Sequence, residues 1–193
     1  MVTRPLLGSH VSVRHGSTRG QCTVLSSTIT RMPHAPRFTP DVLYRQASSA
    51  DVPAMERCRA SDPEAGPADP RMAAYLDGRH HPQQALAPRT AFVALAGDDV
   101  AGYIAAHATT RYACSGEVQY LYVAPHYRRY GVARRLLCSV ARWFQTQDIR
   151  RVCVNADLES AGAVAFYTAQ GARPLNKYWY VWEDIRILLA KDD

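Results

Sequence analysis

The chain has 193 residues, 47% of them hydrophobic, which suffices for one full core and little more. Its formal net charge is +6, but residues 1–40 hold five arginines and no acid, leaving only +1 for residues 41–193. That near-neutral body speaks against a broad nucleic-acid footprint, and no apolar run reaches the ~18–20 residues of a membrane span. The five cysteines are odd in number and lack CxxC spacing, which excludes a zinc ribbon and a disulfide framework. Cys138 and Cys153 fall in apolar patterns and read as small core residues. A reducing, cytoplasmic setting is the expectation.

In chain order, residues 1–40 read as a disordered basic leader. They lack the apolar stretch of a secretory signal. Their Arg- and Ser-rich composition has a faint likeness to a transit peptide, and a start codon set too far upstream would leave the same pattern. Regular structure is expected from Asp41 to Asp193 as one domain, after Pro33, Pro36 and Pro40. A short strand is predicted over 42–48, then a helix over 49–61 with Ser49 or Asp51 as cap. A Pro-rich loop spans 62–70, and a short helix over 71–79 stops at Gly78. Two strands, 89–97 and 100–110, form a hairpin, and a third strand covers 117–125.

Residues 131–147 carry apolar side chains at Val132, Leu136, Leu137, Val140, Ala141 and Phe144, a helical spacing over four turns. A strand over 150–158, a helix over 160–171 ending at Gly171, and strand material over 172–189 close the chain. Three strands in hairpin succession followed by β-α units predict an α/β fold of α+β type. Its sheet would be mixed, antiparallel first and parallel near the middle, with helices on both faces.

One stretch stands out: His126 to Leu137, "HYRRYGVARRLL". A strand ends at Pro125, a loop carries Arg128 and Arg129, and a helix begins at Gly131. Glycine admits a close ligand oxygen, and the first helical turn offers N–H groups without acceptors at the positive end of the dipole. That combination suits a phosphate, with Arg129 and Arg134 flanking it. The helix taken alone fits equally well with an Arg-rich solvated face. A P-loop is excluded because no GK[ST] follows, and G-x-G-x-x-G is absent.

The wider stretch resembles the GNAT acyltransferase superfamily. Its signature [RQ]-x-x-G-x-[GA], after a strand ending in V-x-P, stands here as Arg128, Arg129, Tyr130, Gly131, Val132 and Ala133 behind Val123-Ala124-Pro125. Downstream, "VNADLESAGAVAFYTAQGARPL" is similar to the family's second motif, with Phe166, Tyr167 and Gly171 in register. The likeness covers 42–189. It implies the GNAT fold, with a splay between the two middle strands, and transfer of an acetyl group from acetyl-CoA (coenzyme A as carrier) to a primary amine by direct attack.

The resemblance also implies roles. Backbone N–H groups from Arg129 to Arg134 would hold the pyrophosphate, and the pantetheine arm would run beside Leu121, Tyr122 and Val123 as an added strand. The strands around Tyr122 and Asn155 would part to admit it. Ala133 stands where glycine is common. Ser160 lies where many members use an asparagine toward the cofactor, or it caps the helix. Tyr167 matches the tyrosine that protonates the departing thiolate. Glu117 matches a carboxylate base that often acts through water, while Asn155 could orient such a water.

Residues 49–88 and the aromatic strand "KYWYVWED" would select the acceptor, a small-molecule or peptide amine. Asp157, Glu159, Glu183 and Asp184 would favour a cationic one, or they are scattered acids of a solvated surface. A homodimer is possible, and no nucleic-acid or membrane partner is implied. Two alternatives are a catalytically silent acyl-CoA sensor and a toxin-like acetyltransferase of charged tRNA, the latter poorly supported by the +1 domain. No metal site is expected.

Overall fold

The computed structural model describes residues 41–65, 69–156 and 161–191; the predicted leader, Asp157, Glu159 and Ser160 lie outside them. The elements are β1 (Leu43–Gln46), α1 (Val52–Ala60), α2 (Met72–Leu76), β2 (Ala85–Ala96), β3 (Asp99–Thr109), β4 (Gly116–Val123), α3 (Val132–Thr146), β5 (Val152–Asn155), α4 (Ala161–Ala169), β6 (Arg173–Pro174) and β7 (Trp179–Trp182). Seven strands form one sheet in the order β1-β2-β3-β4-β5-β7-β6. Among the described residues, only β4 and β5 pair in parallel; every other neighbour is antiparallel. The mixed sheet read from the sequence is therefore the observed one.

β3 is buried almost throughout, because helices cover both faces of it. Ile104 and Ala106 face α3, while Tyr103 and Ala105 face α1 and α2, as strand alternation requires. The α3 stripe performs as its spacing predicts: Leu136, Leu137, Val140, Ala141 and Phe144 are fully buried. Each large member contributes about 1.5–3 kcal/mol by leaving water.

The stretch 172–189, expected to be strand, is divided. Asn176 Oδ1 accepts from the N–H groups of Tyr178 and Trp179, turning the chain between β6 and β7. Beyond β7, Ile185–Lys191 forms a 3-10 helix instead of a strand. Its three-residue period places Ile185 and Leu188 together in the α3 core, which alternation could not do.

Gly116, at the start of β4, has no room for a side chain. An added Cβ would lie 2.5 Å from Phe144 Cε1 and 2.8 Å from Ile149 Cγ2. Gly116→Ala is expected to cost about 1–3 kcal/mol by overpacking, lowering Tm by roughly 3–10 °C. An unchanged melting curve would show that the α3 layer yields without cost.

Candidate active site

The register of β3 and β4 slips between Ala105 and Ala106, which oppose Tyr120 and Val118, so Gln119 is an extra residue in β4. A bulge reverses the facing of everything after it. Val118 faces the α3 side, yet so do Leu121 and Val123, while Tyr120 and Tyr122 face α1 and α2. The bulge sits where β4 loses its other neighbour. β4 and β5 pair only through Gly116–Val152, Glu117–Cys153 and Val118–Val154. Beyond that point β4 continues to Val123 beside β3 alone, and Asn155 pairs with Trp179 of β7. The parting of the strands opens a cleft of about 950 Å³.

Leu121, Tyr122 and Val123 line one wall of this cleft and Val154 and Asn155 the other. β4 therefore carries an unpaired backbone edge along the cleft, the edge that an extended, amide-bearing ligand can complete. At the mouth lie Arg129, Gly131, Val132, Ala133 and Arg134. Arg129 has φ 70° and Gly131 φ 80°, so the loop turns twice through the left-handed region before α3 begins. No side chain caps α3, and its first helical bond runs from Arg135 N–H to Gly131 O. The preceding N–H groups of the first turn remain without intrahelical acceptors. A Cβ at Gly131 would meet nothing within 4 Å, so the backbone there faces open space. These features fit a pyrophosphate on the helix N-terminus and a pantetheine-like arm along β4.

α4 closes the cleft with Gly162, Ala163, Phe166, Tyr167 and Gln170, one continuous helical stripe. Phe166 and Tyr167 are neighbours in sequence, and both border the cleft because each lies on one margin of that stripe. Tyr167 is 6% exposed. Its ring stands edge-on to Trp182 at 5.9 Å and to Phe166 at 5.3 Å, which restrains its direction. Burial pushes the phenol pKa above its ordinary value, so its proton is retained at neutral and mildly alkaline pH.

Three expected site residues are not where the sequence reading put them. Arg128 lines the cleft, but its guanidinium turns back. Nε donates to Val123 O at 3.0 Å, and Nη2 bonds the carboxylate of Asp62, which also accepts from the Tyr122 hydroxyl at 3.2 Å. Arg128 thus ties the loop to the end of α1 instead of reaching outward. Tyr130 is exposed and not part of the cleft lining. Glu117 is 3% exposed and also absent from the lining. Its Oε2 accepts from Arg111 Nε at 2.9 Å and lies 3.8 Å from His107 Nε2, whose Nδ1 meets the Tyr75 hydroxyl at 3.0 Å. A carboxylate so enclosed does not reach the cleft by direct contact. Ser160 lies outside the described residues.

Asp62 is the residue that the sequence concealed, since "DPEAGPADP" reads as solvated loop. Burial disfavours its charge, but hydrogen bonds from Arg128 and from the Glu64 N–H outweigh this and hold its pKa below the ordinary range. The tie is therefore complete at neutral pH and is lost only as pH falls through that lowered value. Asp62→Asn keeps the shape and removes the charge, so the loop should slacken. The expected result is a roughly tenfold higher KM for acetyl-CoA with kcat little changed. An unchanged KM would show that the loop holds its form without Asp62.

Among the described residues no helix is long and apolar enough to cross a membrane. No curated protein sequence is significantly similar to the chain. The profile of the acetyltransferase (GNAT) family matches residues 55–172. Similar solved structures include a GNAT-family acetyltransferase from Desulfovibrio desulfuricans, 20% identical, covering 75% of this chain and 99% of its own at TM-score 0.60. The PaiA N-acetyltransferase of Thermoplasma acidophilum, solved with coenzyme A, is 15% identical over 73% of this chain and 96% of its own, at TM-score 0.55. Arabidopsis thaliana NAA60, solved with acetyl-CoA, is 12% identical over 74% and 98%, at TM-score 0.58. At such identities the structures establish the shared fold, and the family profile spans more than half of this chain, including the loop and both walls of the cleft. The chain belongs to the GNAT family of acetyltransferases, whose acetyl donor is acetyl-CoA.

Proposed function

We propose that this protein is an N-acetyltransferase that moves the acetyl group of acetyl-CoA to a primary amine by direct attack. The observation that carries the proposal is the meeting of three features on one cleft. These are the uncapped start of α3 with Gly131 open to it, the β4 edge left free by the parting strands, and the Tyr167 phenol. When bound, the donor supplies an acetyl thioester as electrophile. The first turn of α3 and the Arg129–Gly131 loop hold its pyrophosphate. The β4 edge at Leu121–Val123 orients its arm.

Tyr167 keeps a proton available for the departing sulfur, because burial favours the neutral phenol. The acceptor must arrive as the free amine, since an alkylammonium has no lone pair. Glu117 takes that proton only through intervening water, and Asn155, on the cleft wall, orients water near the reacting groups. Glu117, held by Arg111 and off the cleft lining, suits a relay better than contact catalysis. Acceptor selection falls to α1, α2 and their connecting loop, whose Arg59, Glu64 and Ala65 border the cleft.

The test is release of free coenzyme A thiol from acetyl-CoA with a panel of primary amines, amino sugars and peptides, with the acetylated product identified by mass. Acetyl transfer to a nitrogen of one panel member is expected. Tight acetyl-CoA binding without thiol release across the panel would turn the reading toward a sensor of acyl-CoA.

A further inference from the structure

On the sheet face turned away from α3, a third cluster packs Cys114, Cys153 and Val181 together, with Leu175 and Trp179 around them. Cys153 belongs to this face because its neighbours Val152 and Val154 both point into the α3 core. Cys114 is 3% exposed and Cys153 fully buried. Both are free thiols packed in this one small cluster, where Cys153 pairs across the sheet with Val181.

The backbone goes to unusual lengths to bring Cys114 there. Tyr112 has φ 51° and Ala113 φ 56°, two successive residues with side chains in the left-handed region that such residues avoid. The turn is clamped on every side. Arg111 stacks over the Trp179 ring at 4.5 Å, and the Tyr112 ring meets the same indole edge-on at 5.5 Å. Arg151 Nη1 donates to Tyr112 O at 2.6 Å and lies 3.7 Å from Cys114 Sγ.

The two sulfurs differ in character. The Cys153 thiol and then the Arg151 charge favour the Cys114 thiolate, against burial and the more distant Glu183 and Glu117. The Cys153 thiol is pushed the other way, chiefly by Cys114 beside it and by burial. Of the two sulfurs, Cys114 is the one with a guanidinium beside it, so it is the one that loses its proton first.

We propose that Cys114 and Cys153 are a redox-modification site, which a peroxide converts to a disulfide. The Cys114 thiolate attacks one oxygen of hydrogen peroxide. A sulfur–oxygen bond forms, the O–O bond breaks, and hydroxide leaves to take up the proton that the thiol released. The Cys153 sulfur then attacks the Cys114 sulfenic acid. The S–S bond forms, the S–O bond breaks, and the oxygen departs as water with the Cys153 proton. Two thiols lose two electrons, and one peroxide becomes two waters. The chemistry is independent of acetyl transfer.

Specificity follows from placement. Among the described cysteines, Cys58 and Cys138 lie in two other clusters, neither of which holds a second cysteine, and the Cys58 thiol is raised to about 11. The cross-link would fasten the 111–115 turn to β5 one residue before Val154, where the strands begin to part. It therefore locks the closed end of the cleft. Closing the chain between 114 and 153 should raise Tm by roughly 10 °C.

The experiment treats the full chain with hydrogen peroxide, then counts thiols after denaturation and maps peptides without reduction. Two of the five thiols should disappear, a Cys114–Cys153 linked peptide should appear, and dithiothreitol should restore both the thiols and the original Tm. In Cys153→Ala the Tm rise should vanish. Retention of all thiols in the wild type, or linkage through other cysteines, would overturn the proposal, as would a Tm rise that persists in Cys153→Ala. Should that variant not fold, the wild-type peptide map decides by itself.

Discussion

Tyr167→Phe will lower kcat by roughly 10²–10⁴-fold, the usual worth of a positioned general acid, while leaving acetyl-CoA binding intact. The change removes one oxygen. The ring still meets Trp182 and Phe166 edge-on, so the helix stripe and the cleft wall keep their form. The loss falls on kcat and not on the donor KM, because the proton is needed only as the carbon–sulfur bond breaks. It should shrink with an acyl donor whose thiol is more acidic. The pH profile supplies a second check. Burial raises the phenol pKa above its ordinary value near 10, so the protonated acid persists up to that raised value and its activity is lost only above it. Between pH 7 and 9 this group should impose no alkaline fall in kcat. Wild-type turnover by the phenylalanine variant on its acceptor would reduce Tyr167 to a packing residue and leave solvent as the proton source.

Gly131→Glu will abolish the rise in Tm that acetyl-CoA causes in the wild type. A ligand at a hundredfold excess over its Kd stabilises by about 2.7 kcal/mol, worth roughly 5–10 °C in a chain of this size. The variant places a carboxylate where the pyrophosphate should lie, and like charges there oppose binding outright. Backbone strain is a second effect, since φ at Gly131 is 80°. Gly131→Ala separates the two. Its Cβ would meet nothing within 4 Å, so it carries the strain, about 1 kcal/mol, without the charge. The alanine variant should keep most of the ligand shift and the glutamate variant none. A full shift in Gly131→Glu would remove the helix N-terminus as the phosphate site.

Much of this molecule was legible in its residues because the relevant forces are local. The 3.6-residue recurrence from Val132 to Phe144 dictates one buried helical face whatever lies opposite it. Gly131 beside Arg128 and Arg129, placed between a strand and that helix, specifies a turn that only glycine adopts freely and an uncapped helix start. The short connection between the strands at 89–97 and 100–110 predicts their antiparallel hairpin, and the motif likeness carried the parting of the strands.

What the tertiary structure alone decided depends on which groups the folded chain brings together. The extra residue at Gln119 shows only in the register against β3, because a bulge is a mismatch between two strands and belongs to neither. Arg128 turns inward because Asp62, 66 residues earlier, stands within reach of its guanidinium. Glu117 withdraws from the cleft because the β3–β4 turn folds Arg111, six residues earlier, back onto its carboxylate. A charged side chain goes to its nearest partner of opposite sign. Which partner is nearest is a property of the folded sheet, not of sequence order.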